Sequence, residues 1–275
     1  MSAVSETQQA PAAGCGWYLY GVVHDPGSEI LDTGISGADA PQLIRQGDLA
    51  AIAAPVPLAE YDAEALRPKL HDPAWLEAAV RRHHDVVARI HSARIILPAK
   101  FGAVYASVDD VRLALERGHE ELRDRLAALT DCDEWGVHLY ATSRQALERM
   151  TTRDADLDRL EHDMATASPG RAYFLRRKLE EARAQATERG LTELAEGAHE
   201  RLAAQAVASE VAASERRTAA SPDDELEILH AAYLVQRSRL PAFVAELEDL
   251  ARGVREEWTG PWPPYSFAAP TSGIE

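Results

Sequence analysis

Residues 17–23 read Trp-Tyr-Leu-Tyr-Gly-Val-Val and combine aromatic with β-branched side chains just before an Asp-Pro-Gly turn at residues 25–27. This composition predicts a strand. A second, shorter strand is predicted at residues 49–54, which follow a Gly-Asp pair and precede two prolines. Both predicted strands lie in the first quarter of the chain, so the fold is expected to begin with a sheet.

The next elements alternate between helix and strand. A long helix is predicted to begin near Asp72, because a proline follows it and apolar side chains in residues 76–90 recur at spacings of three and four. Residues 94–105 are rich in β-forming side chains but contain Pro98 and Gly102. Proline and glycine interrupt regular pairing, so a bent edge strand is predicted there.

A helix and a strand complete the first predicted domain. Residues 107–110 resemble a capping box with Asp in the place of Glu, and helical spacing of apolar residues continues to Thr130. Residues 133–141 then favour another strand. This order of elements predicts a small sheet with helices packed on one face, for which a ferredoxin-like α/β sandwich is the simplest model.

The composition changes after residue 142. Residues 143–208 are rich in Ala, Glu, Arg and Leu and predict long amphipathic helices, with one break at residues 168–170. One apolar stripe runs from Ala172 to Ala186, and another follows Gly190. Strands are predicted at residues 227–235 and 258–267, with a helix between them. The last of these strands is rich in aromatic residues and proline.

The predicted fold class is therefore α+β, with two domains. Residues 1–16 are expected to be a disordered leader. Residues 17–142 are assigned to the N-terminal ferredoxin-like domain. Residues 143–275 are assigned to a C-terminal α+β domain with long amphipathic helices.

The charge of the chain excludes some classes of partner. The 275 residues include 45 acidic and 29 basic side chains, which gives a formal net charge of −16. Nucleic acids and anionic membrane surfaces are disfavoured as partners, because both require a basic footprint. The two cysteines and the lack of a signal-like or membrane-spanning stretch favour a cytoplasmic protein.

The sequence contains no motif of a known catalytic or cofactor site. We therefore assign no catalytic residues from the sequence, and we expect no required cofactor or metal. His84 and His91 lie seven residues apart, which is not the usual spacing of a helical metal pair. His83 lies on the apolar stripe of its helix and is predicted to be a hydrogen-bonded core histidine.

Two segments are candidates for contact with a partner. Around Pro98 the chain is expected to bend, and the bend could direct Lys100 and Phe101 outward. Residues 259–267 concentrate aromatic and proline residues, among them Trp262. These residues could form a stiff binding surface or a strand pinned against the core, and both can hold together.

Several blocks of the sequence resemble the gas vesicle protein F/L family, in the same order along the chain. They are residues 17–23 (WYLYGVV), 96–105 (ILPAKFGAVY), 134–139 (EWGVHL), 168–175 (SPGRAYFL), 231–235 (AAYLV) and 259–267 (TGPWPPYSF). The resemblance extends from about residue 17 to residue 267.

This resemblance implies an accessory or minor structural protein of gas vesicle formation that is not an enzyme. Such a protein is expected to contact the small hydrophobic shell protein, and other accessory proteins in addition, and to assist assembly or prevent aggregation. The expected location is the cytoplasm and the gas vesicle. The competing hypothesis is an enzyme or a small-ligand regulatory module, because ferredoxin-like domains serve many unrelated functions.

Overall fold

The structure is a computed structural model in which residues 5–6, 14–27, 40–61, 63–151, 155–212 and 224–268 are described. The chain divides into two compact units. Unit 1 contains Met1–Glu134 and Pro261–Glu275, and unit 2 contains Trp135–Gly260. The boundary expected at residues 142 and 143 differs from this division at both ends of unit 2. Composition changes where helix-rich sequence begins, whereas the division depends on which sheet a strand joins.

The described residues form helices and strands throughout. The strands are β1 (Ser5–Glu6), β2 (Cys15–His24), β3 (Gln42–Gln46), β4 (Leu49–Pro57), β5 (Leu97–Pro98), β6 (Val104–Tyr105), β7 (Cys132–Thr142), β8 (Ala208–Val211), β9 (Glu225–Gln236) and β10 (Arg255–Trp262). The helices are α1 (Leu58–Tyr61), α2 (Ala63–Lys69), α3 (Pro73–Ala93), α4 (Val108–Arg117), α5 (His119–Ala128), α6 (Ser143–Thr151), α7 (Ala155–Thr166), α8 (Pro169–Ala203) and α9 (Leu240–Leu250), with a 3₁₀ turn at Arg237–Arg239. The predicted α+β class is confirmed.

The sheet of unit 1 has the order β1-β3-β4-β2-β5, and β6 also pairs with β2. The pairs β3–β4, β2–β4 and β2–β5 are antiparallel, and β1 joins β3 in parallel. The order β3-β4-β2-β5 is that of a ferredoxin-like sheet. Of the expected leader, Ser5–Glu6 form β1 and β2 begins at Cys15; residues 1–4 and 7–13 lie outside the described residues. The short strand β3 was not predicted.

One core cluster of unit 1 lies between this sheet and α3. Strand β2 is buried at consecutive positions and also contacts α5, so helices cover both faces of the sheet and not the single face that the sequence predicted. Tyr18 and Ile52 of the sheet belong to one buried cluster with Val86 and Ile90 of α3. The predicted start of α3 is confirmed, because the Asp72 carboxylate accepts hydrogen bonds from the first backbone N–H groups of the helix. The sequence stripe therefore faces the core as predicted.

The helix predicted to continue to Thr130 is two helices instead. Ser107 Oγ accepts a hydrogen bond from the Asp110 backbone N–H at 3.1 Å, which confirms the predicted cap of α4. The break lies at Gly118, where α4 ends and α5 begins. Glycine has low helix propensity, and apolar spacing does not reveal such a break because it resumes in α5.

The sheet of unit 2 has the order β10-β7-β9-β8. The C-terminal half of α8 packs on this sheet together with α9, in a core that includes Leu139, Leu202, Tyr233 and Phe243. The N-terminal half of α8 packs on α7 in a separate apolar cluster. Helix α8 continues through the buried Gly190, which separates the two apolar stripes of the sequence. No helix in the described part of the chain combines the length and the apolarity needed to cross a bilayer.

Candidate functional site

The structure places the four predicted contact residues in different environments within unit 1. Pro98 is buried in β5, Phe101 is half-buried and Lys100 is exposed. Trp262, at the end of β10, is 38% exposed. Gly102 has a φ of 86°, which lets the chain turn after Phe101 as the sequence predicted. Of these four side chains, those of Lys100 and Trp262 are the most accessible.

The two flagged segments meet at one group of rings, which we call the unit 1 cluster. Its members are Tyr18, Tyr20, Tyr61, His83, His84, Phe101, Trp262 and Tyr265. The ring centroid of Phe101 lies 5.9 Å from that of His83, and the ring centroid of Trp262 lies 5.4 Å from that of His84. Two neighbouring histidines of α3 therefore contact the two segments: His83 contacts the bent strand at Phe101, and His84 contacts the C-terminal segment at Trp262.

Hydrogen bonds hold the centre of the unit 1 cluster. The Gly102 backbone N–H donates to Tyr18 Oη at 3.3 Å, and the Tyr18 hydroxyl is hydrogen-bonded to His83 Nδ1 at 2.9 Å. Burial lowers the pKa of His83 to about 4, with the Ala99 backbone acting in the opposite direction and nearby His84 lowering it slightly. His83 is thus a neutral, hydrogen-bonded core histidine, as predicted.

The C-terminal segment is partly anchored and partly accessible. The backbone N–H and the hydroxyl of Ser266 both donate to the Glu134 carboxylate at 2.8 Å. Tyr265 packs against the core, and burial raises the pKa of its phenol. The sequence left open whether this segment is pinned against the core or forms a binding surface. Residues 263–266 are pinned, whereas Trp262 stays accessible to a partner.

Sequence reasoning missed a second surface, on the N-terminal half of α8. Tyr173 is 68% exposed and Phe174 is 72% exposed, and their rings meet edge to face at 5.7 Å. We call this surface the α8 patch; besides the two aromatic residues it comprises Arg171, Arg176, Arg177 and Lys178. Residues 169–178 contain these four basic side chains and no acidic one, in a chain of net charge −16.

The helical pattern of the sequence indicates that the aromatic residues of the α8 patch are exposed. Ala172, Leu175 and Leu179 form the apolar stripe of this part of α8. Leu179 of this stripe is buried against α7. Tyr173 and Phe174 lie off this stripe, so the helix must present them to solvent. An exposed pair of large aromatic side chains on an otherwise polar helix face is typical of a partner-binding surface.

One group of residues in unit 2 has the chemistry to hold a metal. The ligand atoms of His138, Glu227 and His230 all lie within 4.8 Å of one another on adjacent strands β7 and β9. His138 Nδ1 lies 2.7 Å from Glu227 Oε1. The spacing of histidines along the sequence did not indicate this group.

Comparison with solved structures supports the fold. The chain matches the crystal structure of gas vesicle protein GvpF from Microcystis aeruginosa with a TM-score of 0.60 at 18% identity, covering 92% of this chain and 99% of that chain. The crystal structure of GvpF from Anabaena gives a TM-score of 0.61 at 18% identity, with coverage of 93% and 99%. At this identity the likeness shows the fold alone.

Comparison of sequences shows the family. Gas vesicle protein L of a Streptomyces species is 35% identical over 257 residues, which cover 91% of this chain and 92% of the relative. Gas vesicle protein L1 of Halobacterium salinarum is 26% identical over 262 residues, covering 92% and 90%. The family model of gas vesicle synthesis protein GvpL/GvpF matches residues 16–269. The chain therefore belongs to the GvpL/GvpF family of gas vesicle synthesis proteins.

Proposed function

We propose that this chain acts in gas vesicle formation by binding the hydrophobic shell protein, so that it assists shell assembly or prevents shell aggregation. A role in gas vesicle formation follows from membership of the family. Binding of the shell protein is the step beyond that. The observation that carries this step is the exposed aromatic pair of the α8 patch. Other gas vesicle accessory proteins are further candidate partners, and the cytoplasmic location stays a prediction.

Apolar burial is the main expected source of affinity. Burying one large apolar side chain contributes about 1.5 to 3 kcal/mol, so Tyr173 and Phe174 together can supply about 3 to 6 kcal/mol of the roughly 8 kcal/mol of a micromolar complex. An exposed ion pair contributes at most about 1 kcal/mol. The basic side chains around the pair should therefore orient the partner more than they hold it.

The contact role of Pro98, Lys100, Phe101 and Trp262 stays a prediction. Pro98 is buried and Phe101 already packs against the core of unit 1, so neither has much apolar surface left to bury in a partner. Trp262 keeps 38% of its surface exposed. We propose Lys100 and Trp262 as a secondary contact.

The test is co-purification of the shell protein with the chain and with the double variant Tyr173→Ala/Phe174→Ala. We expect the double variant to keep its fold and to bind at least about a hundredfold more weakly, because each lost burial costs a factor of ten or more. The matched control is Val207→Ala, which truncates another exposed apolar side chain of unit 2. This control should bind like the parent.

The outcomes test the proposed function and the proposed binding surface separately. If the parent does not bind the shell protein, the proposed function is wrong. If the parent binds and the folded double variant binds equally well, the α8 patch is wrong and Trp262→Ala becomes the next variant to measure. A steep loss of binding with added salt would contradict apolar contact, since screening weakens exposed charge pairs and leaves hydrophobic burial nearly intact.

A further inference from the structure

The outward face of the unit 2 sheet carries two histidines and a glutamate side by side. His138 lies on β7, and Glu227 and His230 lie on the neighbouring strand β9. Residues three apart on a regular strand point to opposite faces. In β9 the two intervening residues Ile228 and Leu229 are both buried, and the ligand atoms of Glu227 and His230 lie within 4.8 Å of each other.

The three side chains already converge. Their possible ligand atoms all lie within 4.8 Å of one another, and His138 Nδ1 is 2.7 Å from Glu227 Oε1. The imidazole rings of His138 and His230 are stacked, with centroids 4.1 Å apart and planes 22° apart. The pairing of adjacent strands thus brings together His138 and Glu227, which are 89 residues apart in the sequence.

We propose that His138, Glu227 and His230 bind one transition-metal dication of the zinc type. Two imidazoles and one carboxylate are a common donor set for zinc, with a fourth position left to water or another ligand. At bond lengths of about 2.0 to 2.1 Å, tetrahedral donors lie about 3.4 Å from one another, so the present donors need to shift by only about 1 to 1.5 Å. Rotation of an imidazole about its Cβ–Cγ bond, a torsion with broad minima, can supply such a shift.

The surrounding charges leave Glu227 available for a metal. Arg255 of β10 is paired with Glu225 at 2.7 Å and with Glu257, and it lies over the Tyr140 ring. Glu227 is hydrogen-bonded to His138, which is itself one of the proposed ligands. No guanidinium or ammonium partner of Glu227 occurs among the described residues.

The exposure of the site suits a metal that arrives from solvent. The side chains of His138 and Glu227 are 31% and 32% exposed. A dication can therefore reach the donors without unfolding the sheet, and water can complete its coordination. This inference departs from the expectation that the chain needs no metal, which rested on histidines isolated along the sequence and on unpaired cysteines.

Zinc titration of the full chain, without an affinity tag, tests the proposal. Isothermal titration calorimetry and elemental analysis after dialysis should find one zinc ion per chain. The variants His138→Ala, His230→Ala and Glu227→Gln should each weaken zinc binding by at least about tenfold, because each removes one of three protein ligands. Cobalt should give the visible absorption of a tetrahedral site in the parent and lose it in these variants.

His162→Ala is the matched control, because it removes an exposed histidine of α7 in the same unit and should leave the zinc affinity unchanged. Magnesium should not compete; competition would indicate general attraction of cations to an acidic chain. The proposal is overturned if the parent binds no zinc, or if the histidine variants bind it as tightly as the parent does. Where an alanine variant fails to fold, His230→Asn keeps a polar side chain and decides the same question.

Discussion

The unit 1 cluster and the α8 patch contain the same kinds of side chain in opposite settings. In the unit 1 cluster Tyr18 and His83 are 7% and 5% exposed, and they are hydrogen-bonded to each other. In the α8 patch Tyr173 and Phe174 are 68% and 72% exposed, and basic side chains surround them. Aromatic content alone does not distinguish the two regions.

The difference shows what each region can contribute. The burial of a ring in the core contributes to the free energy of folding, so truncation of a buried ring is expected to lower stability. An exposed ring is buried only when a partner covers it. Truncation of an exposed ring is therefore expected to lower the affinity for the partner and leave stability nearly unchanged. Each of the predictions below tests this separation.

The largest expected effect is on stability, from truncation of Tyr18. Tyr18→Ala should lower the free energy of unfolding by about 3 to 5 kcal/mol, because it leaves a cavity and removes the hydrogen-bond partner of His83. Tyr173→Ala should lower it by less than about 0.5 kcal/mol, as exposed substitutions usually do. Urea unfolding of both variants measures the contrast. Equal losses in the two variants would show that burial does not distinguish the two regions.

The next effect is a pH dependence of stability that comes from His83. Its folded pKa of about 4 lies below the ordinary value of about 6.5, so the unfolded chain takes up a proton between these values and the folded chain does not. Stability from this group is therefore full above pH 6.5 and decreases as the pH falls toward 4, by about 2 to 3 kcal/mol at pH 4.5. The titratable groups that face it are Tyr18, Tyr20, His84 and Tyr265.

Urea unfolding at pH 7.5 and pH 4.5 measures this dependence. The drop in stability between the two pH values should be smaller in His83→Gln than in the parent, since glutamine does not titrate. His162→Gln, at an exposed histidine, should show the same drop as the parent. An identical drop in His83→Gln would show that His83 is not the group responsible.

The smallest expected effect comes from Phe101, which is half-buried. Phe101→Ala should lower the free energy of unfolding by about 1 to 2 kcal/mol, roughly half the value of a fully buried aromatic residue. Binding of the shell protein should stay within about threefold of the parent, because little of the ring remains to be buried. Thermal melting and co-purification measure both quantities. A stable variant that no longer binds would restore the bent strand as the main contact surface.

Local sequence features predicted most of the elements in this chain. The Asp72 cap, the apolar stripe of α3 and the β-branched run of β2 each depend on side chains within a few residues of one another. Such interactions operate before any tertiary contact forms. The short strand β3, with only Leu43 and Ile44 as buried apolar residues, lacks this local signal and was missed.

The candidate sites were less accessible to sequence reasoning. The bend around Phe101 and the aromatic C-terminal segment were recognised, yet their convergence on His83 and His84 depends on the packing of α3. The His138, Glu227 and His230 group depends on the pairing of two distant strands. The α8 patch could have been found, because its aromatic residues lie off a stripe that the sequence shows.

The sequence by itself determined the α+β class, most helices and strands, the acidic charge and the resemblance to a family. These follow from local propensity, periodicity and composition, which act along the chain. Only the tertiary structure decided where the units divide, which aromatic rings are buried and which histidines face a carboxylate. The physical reason is that burial and strand pairing join residues far apart in sequence, and no local pattern records which of them will meet.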